Sequence, residues 1–177
     1  MATYEDIAKS IKKRALKSVY LIAGDEPLFI DQLAELFLSE VIPTDEQDFN
    51  LSVLYGADVS ARDILLDALR FPMMGERVLV LVKEAQQVRD IEQIASHIND
   101  LPQSTCLVLC YKKKPDKRKS LYKTLQAENA VYESTRIYDS KIPDFITKSF
   151  STKGLSIDQR TASLMAEATG NDLEKIL

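Results

Sequence analysis

The sequence predicts an α/β fold in which a parallel sheet is covered by helices on both sides. Three observations lead there. Strand-like and helix-like segments alternate about five times before residue 140, the order that builds a parallel sheet. The strand-like runs, Val78 to Val82 and Cys106 to Cys110 among them, are apolar at consecutive positions, as strands buried on both faces are. A composition of 45% hydrophobic and 28% charged residues over 177 positions is that of a globular chain long enough to bury a core.

The elements follow in order. A helix is expected from about Thr3 to Ala15, where Tyr4, Ile7, Ala8, Ile11 and Ala15 recur at helical steps. Ser18 to Ala23 reads as a buried strand. The turn Gly24-Asp25-Glu26-Pro27 leads into a helix carrying Phe29, Leu33, Leu36 and Phe37 on one face, with Pro27 suited to its first turn. Phe49 to Tyr55 alternates like a strand, and Ser60 with Asp63 forms a capped start for a helix from Ala61 to Arg70. Next come a strand at Arg77–Lys83, a helix at Asp90–Asn99, a strand at Thr105–Tyr111, a helix at Asp116–Glu128 and a strand at Ala130–Ser134. Beyond residue 140 the pattern is helical: Ile142 to Lys153, Asp158 to Thr169, then a helix from Asn171. The reading is an α/β domain over 1–140 and the start of a helical domain over 141–177, cut short because the sequence stops inside a helix.

Composition narrows the function classes. No apolar run approaches the roughly 20 residues of a membrane span, and the charged, amphipathic start is unlike a secretory signal, so a cytoplasmic protein with no membrane partner is the default. Two cysteines and one histidine leave the usual zinc sets short of ligands. Cys106 and Cys110, four apart on a strand, lie about 13 Å apart along it, too far for a disulfide, and read as packing residues on one face. His97 reads as a surface or packing residue. The net charge of −4 conceals an asymmetry: Lys112, Lys113, Lys114, Lys117, Arg118, Lys119 and Lys123 stand against Asp116 alone, leaving 16 basic and 26 acidic residues elsewhere. Such a run fits either a phosphate-facing loop or a solvated turn, and no aromatic platform accompanies it.

The turn after the first strand is where this kind of fold normally holds a nucleotide phosphate. A working phosphate loop reads Gly, four residues, then Gly-Lys-Ser/Thr. Here Gly24-Asp25-Glu26-Pro27-Leu28-Phe29-Ile30 lacks the lysine and the second glycine, and Pro27 removes an amide. Asp25 and Glu26 at a helix start favour the helix dipole and repel phosphate, so capping is expected of both. The third strand ends Val82-Lys83-Glu84, without the acidic pair that would hold magnesium. ATP hydrolysis, a cofactor and a metal are therefore not expected. A competing class is an α/β enzyme using Asp25, Glu26 and Asp58 as acids; it lacks a nucleophile–base pair.

Five segments in order, VYLIAGDEPLFIDQL, LRFPMMGERVLVLVKEA, TCLVLCYKKKPDKRKSLYKTL, IPDFITKSFSTKGLSID and EATGNDLEKIL, resemble the delta-subunit family of the bacterial DNA polymerase III clamp loader. The resemblance runs from about Ser18 to Leu177 and rests on the combination of Gly24-Asp25-Glu26-Pro27, Pro72-Met73-Met74-Gly75-Glu76-Arg77 and Gly170-Asn171-Asp172-Leu173. It implies an AAA+ (RecA-like) domain with a degenerate P-loop, part of a small helical lid domain, and a missing C-terminal collar domain. It also implies a non-catalytic subunit that binds and opens the ring-shaped sliding clamp during processive DNA replication, with gamma/tau and delta prime subunits as further partners.

The family inserts an apolar pair into a clamp pocket, and the matching positions are Met73 and Met74, where a Leu-Phe pair is more familiar. Methionines are apolar and adaptable, so the pair still suits a pocket, with less pre-organisation than an aromatic ring. Their place between a helix and a strand, beside Pro72 and Gly75, is where a loop is ordinarily polar. Leu69 and Phe71 are expected to divide, one supporting the element and one joining the contact, with Arg77 bracing the turn. The run Lys112 to Lys123 follows the fourth strand, at the edge of the sheet where AAA+ folds carry a polar sensor residue; Lys112, Lys113, Lys114, Lys117, Arg118 and Lys119 are candidates for contact with primer-template DNA or a neighbouring subunit. A scaffold that touches only its sister subunits is the remaining alternative.

Overall fold

The computed structural model describes residues 1–170 and 173–175. The chain divides into two compact units, Met1–Ser134 and Thr135–Leu177. The first contains α1 (Tyr4–Lys12), β1 (Val19–Gly24), α2 (Pro27–Glu40), α3 (Gln47–Asn50), β2 (Leu51–Tyr55), α4 (Ala61–Ala68), β3 (Val78–Lys83), α5 (Ile94–His97), β4 (Thr105–Tyr111), α6 (Ser120–Ala127) and β5 (Val131–Ser134). The second contains α7 (Ile142–Thr152) and α8 (Gln159–Thr169), which pack together. The helix expected from Asn171 begins outside the described residues; Leu173–Lys175 forms a single 3₁₀ turn.

Among the described residues the sheet has five strands in the order β2-β3-β4-β1-β5, and all four pairings are parallel. β1, β3 and β4 are buried nearly end to end, which is why their sequences are apolar without alternation. Side chains of alternate parity feed two cores. Val78, Val80 and Val82 join Ile64, Leu65, Tyr122 and Leu125 on the face covered by α4 and α6. Leu79, Leu81, Cys106, Val108 and Cys110 join Ile7, Ile11, Leu33 and Phe37 on the face covered by α1 and α2. Both cysteines are thus packing residues, as expected, and His97 is exposed and meets Asp100.

Several boundaries differ from expectation. α1 stops at Lys12 because Arg14 takes a left-handed backbone, φ 54. Phe49 and Asn50 belong to α3 instead of opening β2. The helix expected over Asp90–Asn99 is a chain of short turns with one α-helical piece, α5. α6 starts at Ser120, because Asp116 folds back on the Arg118 amide and holds the preceding residues in a loop. β4 is the central strand, so the basic run leaves the middle of the sheet and not its edge.

Candidate partner-binding loop and the turn after the first strand

α4 begins with the expected capping box, in which the Ser60 hydroxyl accepts from the Asp63 amide and the Asp63 carboxylate accepts from the Ser60 amide. Ala61, Ile64, Leu65 and Ala68 bury its inner face. At the far end the buried Thr105 hydroxyl donates to the Ala68 carbonyl at 2.7 Å, satisfying one of the acceptors a helix leaves open at its C-terminus. From there the chain runs from Leu69 through Arg77 before entering β3.

Apolar side chains stand in solvent along this connection. Met74 is 90% exposed, Phe71 75%, Met73 58% and Leu69 39%. Monomeric surfaces rarely gather large apolar groups in this way without a partner. The loop itself is held firmly. Asn50, fully buried, donates from Nδ2 to the Met73 carbonyl and accepts at Oδ1 from the Met73 amide, both at 2.8 Å. Arg70 donates to the Phe49 carbonyl and to the Ser52 hydroxyl. Met74 adopts φ 57, a left-handed conformation unusual for a side chain of its size. Beside it Gly75 has no room for a Cβ, which would lie 2.0 Å from a Glu46 carboxylate oxygen and 2.9 Å from Asn50 Nδ2. Arg77 reaches the carbonyls of Gln103 and Arg14. It fastens the entry to β3, while Asn50 and Arg70 hold the loop.

The turn after β1 is closed on itself. The Gly24 amide donates to the Lys113 carbonyl at 3.2 Å, the Asp25 amide to the Ser134 carbonyl at 3.3 Å, and the Glu26 amide to the Ser134 hydroxyl at 3.1 Å. Pro27 has no amide to offer. Three of the amides that would face a phosphate, those of Gly24, Asp25 and Glu26, are therefore engaged by Ser134 of β5 and by Lys113 after β4. Gly24, at φ 137, is required because a Cβ there would meet the Ser134 carbonyl at 2.1 Å. Contrary to the capping expected of the acidic pair, Glu26 occupies the N-cap of α2 without a side-chain cap bond, and Asp25 pairs with Lys114 at 2.8 Å. Asp58 follows β2, three inter-strand steps or about 14 Å from β1, so the three acids proposed for an enzyme do not converge. Among the described residues no group of His, Cys, Asp and Glu side chains is arranged to hold a metal ion, and no helix is long and apolar enough to cross a membrane.

Much of the basic run is spent inside the chain. Lys112 pairs with Asp31, Lys114 with Asp25, Lys117 with Glu133 and Arg118 with Asp116. The Arg118 fork holds the Asp116 carboxyl at about 2, well below the ordinary range. Lys119 caps α6 with its backbone, and Lys113 is exposed.

Comparison with known proteins adds four likenesses. The sequence profile of the "DNA polymerase III, delta subunit" family matches residues 20–135. The DNA polymerase III subunit delta of Bacillus subtilis is 26% identical over 182 aligned positions, which cover 97% of this chain and 52% of that protein. A solved structure of the Bacillus subtilis DNA clamp loader delta protein superposes with a TM-score of 0.80 at 26% identity, over 98% of this chain and 54% of that one. The chain thus spans about half the length of these relatives. The Thermotoga maritima RuvB Holliday junction branch migration motor, at 19% identity and a TM-score of 0.57 over 98% of this chain and 56% of that one, shares the AAA+-like fold.

Proposed function

Because the chain belongs to the DNA polymerase III delta-subunit family, we propose that it grips and opens the sliding clamp through the loop carrying Met73 and Met74, without hydrolysing ATP. The observation that carries this reading is the pairing of opposites in one loop: side chains left in solvent on a backbone fixed by Asn50. A pre-organised apolar tip loses little freedom on docking, so more of its contact energy remains to distort the clamp's ring interface. Leu69 and Phe71 extend the same contact.

The non-catalytic role is supported by the turn after β1, whose amides are occupied by Ser134 and Lys113. ATP is then bound by other subunits of the loader, and gamma/tau and delta prime chains are the partners this chain meets in the cytoplasm. Primer-template DNA is a further partner, met by the basic run; since four of its charges already have carboxylate partners, Lys113 and Lys119 are its better-placed members.

The test is binding to the cognate sliding clamp, by calorimetry or surface capture, beside the double change Met73→Ser, Met74→Ser, with circular dichroism on both proteins. Binding by the parent and loss in the folded double variant is the expected result. Equal binding by both, or none by either, removes the Met pair as the wedge and favours a scaffold that touches only other loader subunits.

A further inference from the structure

The outward face of α4 carries an apolar group that the sequence pattern did not single out. Leu66 is 62% exposed in a helix whose inner face is already filled by Ala61, Ile64, Leu65 and Ala68. It lies three residues before Leu69 and so stands beside it on one helical face, their Cβ atoms about 5–6 Å apart. Leu69 in turn leads through Phe71 to Met73 and Met74. The exposed apolar positions 66, 69, 71, 73 and 74 thus follow one another along the chain, from the last turn of the helix into the loop, and are taken together as one apolar ledge.

Nothing in the core calls for a leucine at 66. Polar neighbours show what an ordinary solvent-facing position of α4 holds: Arg62 and Asp63 are exposed, and Asp63 is spent on the Ser60 cap. We infer that Leu66 is a contact residue of the same docking surface, and that the clamp receives this ledge in an elongated apolar channel instead of a pocket for two side chains. The inference rests on the clamp-binding reading above. Its argument is continuity: the rigid helix, anchored at its C-terminus by Thr105, carries Leu66 into whatever surface covers Leu69 and Phe71. An apolar side chain at the near edge of such a contact acts mostly on the lifetime of the complex.

The deciding experiment compares the full chain with Leu66→Ser, with Leu66→Gln and with Met73→Ser, Met74→Ser, measuring association and dissociation on the immobilised sliding clamp and urea midpoints for all four. Leu66→Ser is expected to keep the parent's midpoint and association rate while dissociating about tenfold faster. Leu66→Gln, which keeps the helix and side-chain length, should do the same. If both Leu66 variants bind within twofold of the parent while the Met variant does not bind, the ledge ends at Leu69 and the inference falls with the clamp reading intact. If the parent itself does not bind, or the Met variant binds as the parent does, the clamp reading fails and this inference with it.

Discussion

Asn50 holds Met73 by both ends of its side-chain amide, donating to the carbonyl and accepting from the amide at 2.8 Å each, from a site with no exposure to solvent. A short helix ending at Asn50 thereby sets the height of a loop 23 residues further on. Replacing Asn50 with Ala removes both bonds and leaves the Met73 peptide without its buried partner, a cost of about 1–3 kcal/mol. Urea denaturation should report that loss. Clamp affinity should fall further than the loss of stability alone accounts for, because the freed tip must be ordered again on docking. Asn50→Asp keeps the acceptor but turns a carboxylate oxygen toward the Met73 carbonyl, and should be no better than Ala at neutral pH.

Gly75 has a similar dependence on its neighbours. A methyl group there would meet the Glu46 carboxylate, which can swing away, and Asn50 Nδ2, which cannot without releasing Met73. Gly75→Ala should therefore weaken clamp binding while leaving the far-ultraviolet dichroism unchanged. Adding Glu46→Ala should relieve only part of the defect. Full recovery in the double variant would show that Asn50 yields to the methyl group and that the Met73 grip is looser than its geometry indicates.

The closed turn makes its own prediction. Gly24→Ala would force a Cβ against the Ser134 main-chain carbonyl at 2.1 Å from a backbone at φ 137, so the variant should lose several kcal/mol, about 3 or more, or fail to fold. Ser134→Ala is milder. It deprives the Glu26 amide of its acceptor and should cost about 1–2 kcal/mol in a denaturant titration. It should not create ATP binding, since Pro27 and the missing lysine remain; measurable nucleotide affinity in that variant would overturn the view that the turn itself excludes phosphate.

Local signals made much of this fold readable. Thr105–Tyr111 is an unbroken strand in sequence and structure, and Ser60 with Asp63 announced the start of α4. The family resemblance, not spacing, led to Met73 and Met74. What stayed hidden depends on distant partners. Phe49 and Asn50 continue an apolar alternation into β2, yet the side chain of Asn50 is committed across the chain to Met73, and α3 places it there. The lysines after β4 looked like an uncompensated charge run because Asp25, Asp31 and Glu133 are far from them in sequence. Leu66 passes for one more helical leucine until the buried face of α4 is known.

Burial makes the two cysteines a probe of the sheet. Both thiols are pushed up to about 12 by loss of solvent, so at pH 8 only about one in ten thousand is ionised. Ellman's reagent should find neither thiol in the native protein and both in urea. Since folding keeps the proton on each thiol, the folded state binds more protons than the unfolded one between about pH 9 and 12. Stability should decline as pH rises through that window, and the decline should shrink in a Cys106→Ala, Cys110→Ala variant.

The ion pairs after β4 order the lysines by their availability to phosphate. Lys112 and Lys114 must give up Asp31 and Asp25 before either can neutralise a nucleic acid, whereas Lys113 and Lys119 have no such exchange to make among the described salt bridges. Each lysine that contacts a phosphate releases a counterion and steepens the dependence of binding on salt by about one unit of slope. Lys113→Ser with Lys119→Ser should therefore lower both the affinity for primer-template DNA and the salt slope, by up to about two. Lys112→Ser with Lys114→Ser should lower the slope less, because a lysine already paired with a carboxylate adds little counterion release on meeting phosphate. The carboxylates of Asp31 and Asp25 that this change exposes should still weaken binding by repulsion. Filter binding across a salt series measures both slopes. A larger loss of slope from Lys112 and Lys114 would mean that the pairs open on binding and that Asp25 and Asp31 act as placeholders for phosphate.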